Sequence, residues 1–352
     1  MLHAFFERAS HSGVPLVAAL VIETRGSTYR KPGALMLFAS DGARAGLLSG
    51  GCLEGDLQEH AGRIFAGGPA VIDRSYDSRG SDDPVWGLGL GCEGLMRVLL
   101  WRLDAEGGHN TLAGLLAAEH RREPAALALD INDGRSVLAT GADSPERSPV
   151  LSGAVDDARL RAAAMDALAR RSASLQDGIF TLTATRVPTL LLCGAGPDAE
   201  PVQRIATLLG WQVTVVDHRP AYIDAARFPG AVRVMQVELD DPGAAIALDG
   251  FDAAVVMSHH LIADGRHLAA LARSRVPYVG LLGPAARRER LFAELGPAAE
   301  ALRSRLRAPV GLDLGGRTPE DIALSIVAEI QSVLHGRRGE PFSAHQGTML
   351  PS

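Results

Sequence analysis

The sequence predicts an α/β protein in two parts: a mixed α+β N-terminal domain, then a C-terminal Rossmann-like domain built on a doubly wound parallel sheet. Three observations carry this expectation. At 352 residues the chain is longer than one small core serves, which suits two domains. Beyond its midpoint the apolar strand Thr189–Cys193 runs into Gly194-Ala195-Gly196-Pro197-Asp198-Ala199, a G-x-G-x-x-A turn. Asp217 closes the next strand 21 positions after Gly196, close to the spacing of about 20 expected of the ribose-binding acid in a dinucleotide fold. The expected boundaries are 1–187 for the first domain, 188–336 for the second and 337–352 for a loose tail.

Each element follows from local pattern. Leu16 to Thr24 is a continuous apolar run rich in β-branched residues and reads as a buried strand. It ends in Arg25-Gly26-Ser27-Thr28-Tyr29-Arg30-Lys31-Pro32-Gly33, whose cations and hydroxyls read either as a solvated loop or as a grip for an anion. Residues 34–39 and 43–48, separated by Ser40-Asp41-Gly42, form a hairpin signal. Leu53, Leu57, Ala61, Ile64 and Phe65 then recur at helical spacing before Gly67-Gly68 stops the helix. Leu95–Leu103 is a further strand, and residues 104–187 carry scaffold helices and strands without a chemical motif.

In the second half a helix follows the glycine turn, and strands are expected over Gln212–Val216, Ala253–Ser258 and Tyr278–Leu281. A helix over 264–274 separates the last two, and another opens at Arg287. Thr318 caps a final helix, with Pro319 at its first position, Glu320 and Asp321 in its first turn, and Ile322, Ile326, Ile330, Val333 and Leu334 on one face. His259 and His260 fall at the C-terminal end of a strand, where doubly wound sheets place ligands, and read as site residues or as solvated loop.

Composition narrows the chemistry. With 47% hydrophobic and 22% charged residues the chain is of the soluble globular class. A net charge of -6 speaks against a nucleic-acid platform. Lys31 is the sole lysine, so Schiff-base and P-loop lysine chemistry have almost nowhere to reside. Three cysteines make no disulfide framework and point to a reducing cytoplasm, and no apolar run is long enough to span a bilayer.

Two of those cysteines sit among glycines, Cys52 in Ser49-Gly50-Gly51-Cys52-Leu53-Glu54 and Cys92 in Gly89-Leu90-Gly91-Cys92-Glu93-Gly94. Thiols where backbone allows close approach suit a soft metal or a sulfur-bearing ligand, though a small buried cysteine beside glycines is the plainer alternative. Cys52 falls at a strand-to-helix turn, where free N–H groups and the helix dipole favour anions, a thiolate included. Cys193, at the end of a strand, reads as core packing.

These blocks together resemble the XdhC/CoxI family of molybdoenzyme maturation factors. The resemblance rests on Arg25-Gly26-Ser27 through Lys31-Pro32-Gly33, Gly50-Gly51-Cys52-Leu53-Glu54, Gly89-Leu90-Gly91-Cys92, Gly194-Ala195-Gly196, Val216-Asp217-His218-Arg219-Pro220, Phe228-Pro229 and the block from Pro309 to Glu329. It implies an N-terminal XdhC-type domain that handles molybdenum cofactor (molybdopterin). The implied activity is an accessory one without turnover of its own: assisting sulfuration of the cofactor and its insertion into xanthine dehydrogenase or a related molybdenum hydroxylase. The expected cofactor-binding residues are Cys52, Cys92, Gly50, Gly51, Gly91, Arg25, Arg30, Gly194, Gly196 and Asp217, with Cys52 and Cys92 on the molybdenum or its sulfur ligands. The expected partners are the client hydroxylase, a cysteine desulfurase and a second copy in a homodimer, with no nucleic acid or membrane. Glu93 stands where the family usually has glycine, and Leu282-Gly283-Pro284 and Ser258-His259-His260 also depart from its usual segments. The alternative is an NAD(P)-dependent oxidoreductase working from residues 188–335.

Overall fold

The computed structural model describes residues 2–77, 94–104, 108–141, 149–341 and 343. Cys92, Gly91 and Glu93 lie outside the described residues. The chain divides into two compact units, one running to Arg186 and the other beginning at Val187.

The N-terminal unit opens with helix α1 (Leu2–His11) and the long strand β1 (Leu16–Gly26), whose apolar run is buried from Leu16 to Ile22. Strands β2 (Leu35–Ala39) and β3 (Arg44–Gly46) extend from it as a hairpin, and helix α2 (Glu54–Phe65) follows. Strands β4 (Val71–Asp77) and β5 (Gly94–Leu103) complete an antiparallel sheet of order β3-β2-β1-β5-β4. The hairpin's second strand is shorter than the 43–48 read from sequence, because the chain turns away after Gly46 toward Cys52.

Helix α3 (His109–Arg121), strands β6 (Ala125–Asp130), β7 (Ser136–Thr140) and β8 (Val150–Gly153), helix α4 (Ala158–Arg170) and strands β9 (Ser174–Gln176) and β10 (Ile179–Thr183) form a second sheet of order β8-β7-β6-β10-β9 with its helices. Alternation along β1 divides its side chains between two cores. Leu16, Ala18, Leu20 and Ile22 join Leu99 and Trp101 of β5, helix α3 and Leu127 and Leu129 of the second sheet. Val17, Ala19 and Val21 face the other way and bury Leu53, Leu57, Ala61 and Ile64 of the α2 segment. This second core fixes helix α2, and with it the turn that carries Cys52.

The C-terminal unit is a parallel sheet. Its elements are β11 (Thr189–Cys193), α5 (Ala199–Leu208), β12 (Gln212–Asp217), β13 (Arg233–Gln236), β14 (Ala253–Val256), α6 (Leu261–Ala272), β15 (Tyr278–Leu281), α7 (Ala285–Leu295), β16 (Leu306–Arg307) and α8 (Pro319–Leu334). The sheet order β13-β12-β11-β14-β15-β16 is the doubly wound order, with β12 and β14 on opposite sides of β11. Both faces of β11 are covered, which is why it reads as an unbroken apolar run. Leu190 and Leu192 pack with Val202 of α5 and Ile326 of α8. Leu191 and Cys193 pack with Leu268 of α6 and Leu291 of α7. Thr318 and Asp321 form a reciprocal capping box at the start of α8. Helix α6 starts three residues earlier than the 264 read from sequence, because His260 caps it by accepting from the Ala263 N–H. No helix among the described residues is long and apolar enough to cross a membrane.

Candidate functional site

The turn that carries Cys52 is held from beneath by two buried polar residues. The Glu54 carboxylate accepts from the Leu48 N–H at 3.1 Å, the Ser49 N–H at 2.7 Å and the Ser49 hydroxyl at 2.5 Å. The Ser49 oxygen in turn accepts from the Leu53 N–H at 3.0 Å. Ser49 and Glu54 are both buried. Burial by itself pushes the Glu54 carboxyl up, but the bonds from the Ser49 side chain and from the backbone of Ser49, Glu54 and Leu48 outweigh it and leave the group below the ordinary range. The carboxylate therefore stays ionised as the anchor of a short rigid loop.

Above this anchor the loop is open. Cys52 is exposed, two residues before the start of α2. Gly51 has φ +109°, a conformation that favours glycine, whereas a Cβ at Gly50 would meet nothing within 4 Å. Neither glycine is small in order to pack against protein. Arg30 reaches the same place: its Nε donates to the Leu47 carbonyl at 3.1 Å. Arg25 instead pairs with Glu23 at 2.8 Å. The structure thus ties Arg30 to Leu47, just ahead of the Cys52 turn, and commits Arg25 to a local partner. Gly94, where β5 begins, pairs with Gly26 and leaves no room for a Cβ against Ser27, Thr28 and Arg25. The expected role of Cys92 lies outside the described residues, and among those residues no group of three or more His, Cys, Asp or Glu is placed to hold a metal ion.

In the C-terminal unit the glycine turn and Asp217 meet at the switch point of the sheet, but their polar groups are committed to one another. Asp217 is fully buried. Its carboxylate accepts from the Ala195 N–H at 2.9 Å and from Arg219 through the backbone N–H, Nε and Nη2 at 2.8–2.9 Å. Burial alone would raise this carboxyl, yet the Arg219 side chain and the two backbone bonds lower it to about 2. The Arg219 guanidinium also lies over the Tyr222 ring, 3.8 Å from its centroid. Gly194 has φ +127°, and a Cβ there would stand 2.6 Å from the backbone of Met257 and Ser258. That glycine is required by the close passage of two strand ends.

Asp198 and His259 meet where the chain leaves β11 and β14. His259 Nε2 and Asp198 Oδ2 are 2.6 Å apart, and His259 is held at φ +59°. The bend that presents His259 is braced by the buried Asp264, which accepts from the Ser258 hydroxyl and from Arg287 Nε and Nη2. Burial pushes His267 down to about 4 in the same region, with Asp264 and Asp217 pulling the other way. Burial also pushes the Cys193 thiol well above its ordinary value, which fits core packing. Sequence reasoning missed the Ser49–Glu54 anchor and the Asp264–Arg287 brace. A glutamate in the first turn of a helix ordinarily reads as dipole compensation, and nothing local marks Arg287 as a partner of α6.

Comparison with known proteins matches both units. The family model described as XdhC and CoxI family covers residues 9–76, and that described as XdhC Rossmann domain covers residues 190–330. A Bacillus subtilis protein named as a probable xanthine dehydrogenase subunit is 33% identical over 323 residues, 89% of this chain and 92% of the relative. The molybdenum cofactor insertion chaperone PaoD of Escherichia coli is 25% identical over 334 residues, 94% of this chain and 86% of that one. A crystal structure of a xanthine dehydrogenase from Bacillus halodurans superposes with a TM-score of 0.75 at 29% identity, covering 97% of this chain and 98% of that one.

Proposed function

Because the chain belongs to the XdhC and CoxI family, we propose that it is an accessory factor that holds molybdenum cofactor as cargo and passes it to a molybdenum hydroxylase such as xanthine dehydrogenase. The observation that carries this reading is the anchored, open turn at Gly50-Gly51-Cys52. An exposed thiol on an anchored loop, with free space over two glycines and a guanidinium held on the neighbouring Leu47, matches a cargo that has a soft metal at one end and a phosphate at the other. The similarity to the E. coli chaperone, named for insertion of this cofactor, supports the same reading.

The residues divide the work by chemistry. Cys52, as a thiolate, suits the molybdenum or the sulfur atoms around it, and Cys92 is the second thiol proposed for that contact. Gly50 and Gly51 leave the backbone accessible to the flat pterin. The terminal nitrogens of Arg30 suit charge-assisted hydrogen bonds to the phosphate while its Nε stays on Leu47. Gly91 and Arg25 belong to the same proposed surface, Arg25 through the loop it shares with Arg30. The cargo brings the redox-active metal; the protein supplies grip, orientation and shelter. Assistance to sulfuration, with a cysteine desulfurase as partner, and a homodimeric assembly belong to the proposal as well.

The test compares cofactor retention in wild type, Cys52→Ala, Cys92→Ala and Arg30→Ala protein purified from cells that make the cofactor. The reading expects the cysteine variants to lose bound molybdenum and the Arg30 variant to bind the pterin more weakly, by about tenfold for the loss of one charged contact of about 1.5 kcal/mol. Unchanged retention in both cysteine variants would remove the thiolate role.

A further inference from the structure

Tyr29 has no packing reason to stand where it does. Among the described residues every Phe, Trp and Tyr side chain is buried or half-buried except Tyr29, which is 55% exposed. A ring of that size carries a large apolar face, and burying it against a partner is its ordinary use. The loop that carries it is tied down. The Gly33 N–H donates to the Val21 carbonyl at 2.9 Å and the Ala34 N–H to the Lys31 carbonyl at 3.1 Å, closing the loop where it returns to the sheet. The Thr28 hydroxyl donates to the Arg30 carbonyl at 2.9 Å, spanning Tyr29 itself. The Arg30 guanidinium lies beside the ring, its carbon 5.7 Å from the centroid.

Arg30 also fixes this ring relative to the Cys52 turn. One peptide, between Leu47 and Leu48, is gripped from both sides: its carbonyl accepts from Arg30 Nε at 3.1 Å, and its N–H donates to Glu54 at 3.1 Å. A planar trans peptide points those two groups in opposite directions, so Arg30 Nε and the Glu54 carboxylate lie within about 9 Å of each other. Cys52 is two residues before Glu54 and exposed. Leu47 is itself partly open to water, 37% exposed. An aromatic face, a guanidinium, an apolar side chain and a thiol thus belong to one tethered set of loops.

We infer that Tyr29 is the stacking platform for the ring end of the cargo: a planar nitrogen heterocycle lies on the exposed face of Tyr29 while its anionic tail meets the terminal nitrogens of Arg30. This rests on the cargo reading above and adds to it the residue that recognises the ring. The ring and guanidinium together select the ligand class, since phosphate or molybdate alone gains nothing from Tyr29. A stack needs the π-face and not the phenol hydroxyl, so phenylalanine replaces tyrosine here and alanine does not.

The test titrates the full chain, purified from a cell that makes no cofactor, with neopterin monophosphate, which joins a pterin ring to a phosphate and carries no metal. Saturable binding with quenching of the pterin fluorescence is expected, tighter than binding of glycerol 3-phosphate, which lacks the ring. Tyr29→Ala should weaken the pterin about tenfold and relieve the quenching, and Tyr29→Phe should stay within about threefold of wild type with the quenching kept. Equal affinity in wild type and Tyr29→Ala, equal loss in the alanine and phenylalanine variants, or pterin binding no tighter than glycerol 3-phosphate would overturn the inference. Protein from cofactor-making cells separates its failure from that of the cargo reading. Equal pterin retention in wild type and Tyr29→Ala removes the stack alone, whereas a wild type that retains none removes the cargo reading and the stack with it.

Discussion

Replacing Glu54 by alanine should loosen the Cys52 turn without dismantling the sheet behind it. The carboxylate accepts three bonds, two of them from the backbone N–H groups of Leu48 and Ser49, both in buried surroundings. Each such donor left without a partner costs about 1–2 kcal/mol, the lower part of the range for buried groups because the loop above lies open to water, so the loop should open more easily by about 2–4 kcal/mol. Amide exchange reports that directly. At about 1.4 kcal/mol per factor of ten, the Leu48 and Ser49 amides should exchange about 30-fold to 1000-fold faster in Glu54→Ala than in wild type. Amides at the centre of β1, such as Val17 and Ala19, should keep their protection. Glu54→Gln retains an acceptor and should shift the two loop amides by only about 1 kcal/mol. If Leu48 and Ser49 exchange at wild-type rates in the alanine variant, the carboxylate is not the anchor and the rigid-turn argument fails.

Other perturbations have distinct signatures. Leu57→Ala opens the core between α2 and the first sheet, where Leu57 is fully buried, and should cost about 2–5 kcal/mol in chemical unfolding of the N-terminal unit. Arg219→Met strips the partner from a buried carboxylate and should destabilise the C-terminal unit by about 3–5 kcal/mol, measured by thermal unfolding. Acid should weaken that same unit in two windows. His267 is depressed to about 4, so the unfolded chain takes up its proton first and stability falls as pH drops from about 6.5 toward 4. Asp217, depressed to about 2, contributes stability that is present above about 3.9 and lost toward pH 2. Calorimetric scans across pH should show the first loss diminished in His267→Gln and the second in Asp217→Asn.

Much of the C-terminal architecture was legible because a strand covered on both faces must be apolar along its buried run, as Leu190–Cys193 and Ala253–Val256 are. Strand β4 was not, since Asp73 and Arg74 lie on an exposed edge and interrupt the apolar pattern. Short β13 and β16 and the opening helix α1 likewise offer too few buried positions to declare themselves. In the candidate sites the residue types were readable and their commitments were not. The Asp217 position matched a ribose-binding acid, but whether its oxygens are free depends on Arg219 folding back over two residues. Gly194 was expected to touch cofactor, and the structure adds a packing reason for the same glycine, since a Cβ there would meet the backbone of Met257 and Ser258. At the Cys52 turn the sequence left open a small buried cysteine, whereas the structure exposes Cys52 and leaves the space over Gly50 empty.

The claim that this chain carries molybdenum cofactor as cargo meets its most direct test in the composition of the purified protein. Full-length protein isolated from a cell that makes the cofactor should contain pterin, detected after oxidation by its fluorescence, and molybdenum in equal amounts, approaching one of each per Cys52-bearing site. Protein free of both, from a cell whose molybdenum hydroxylases are verified to be loaded, would contradict it.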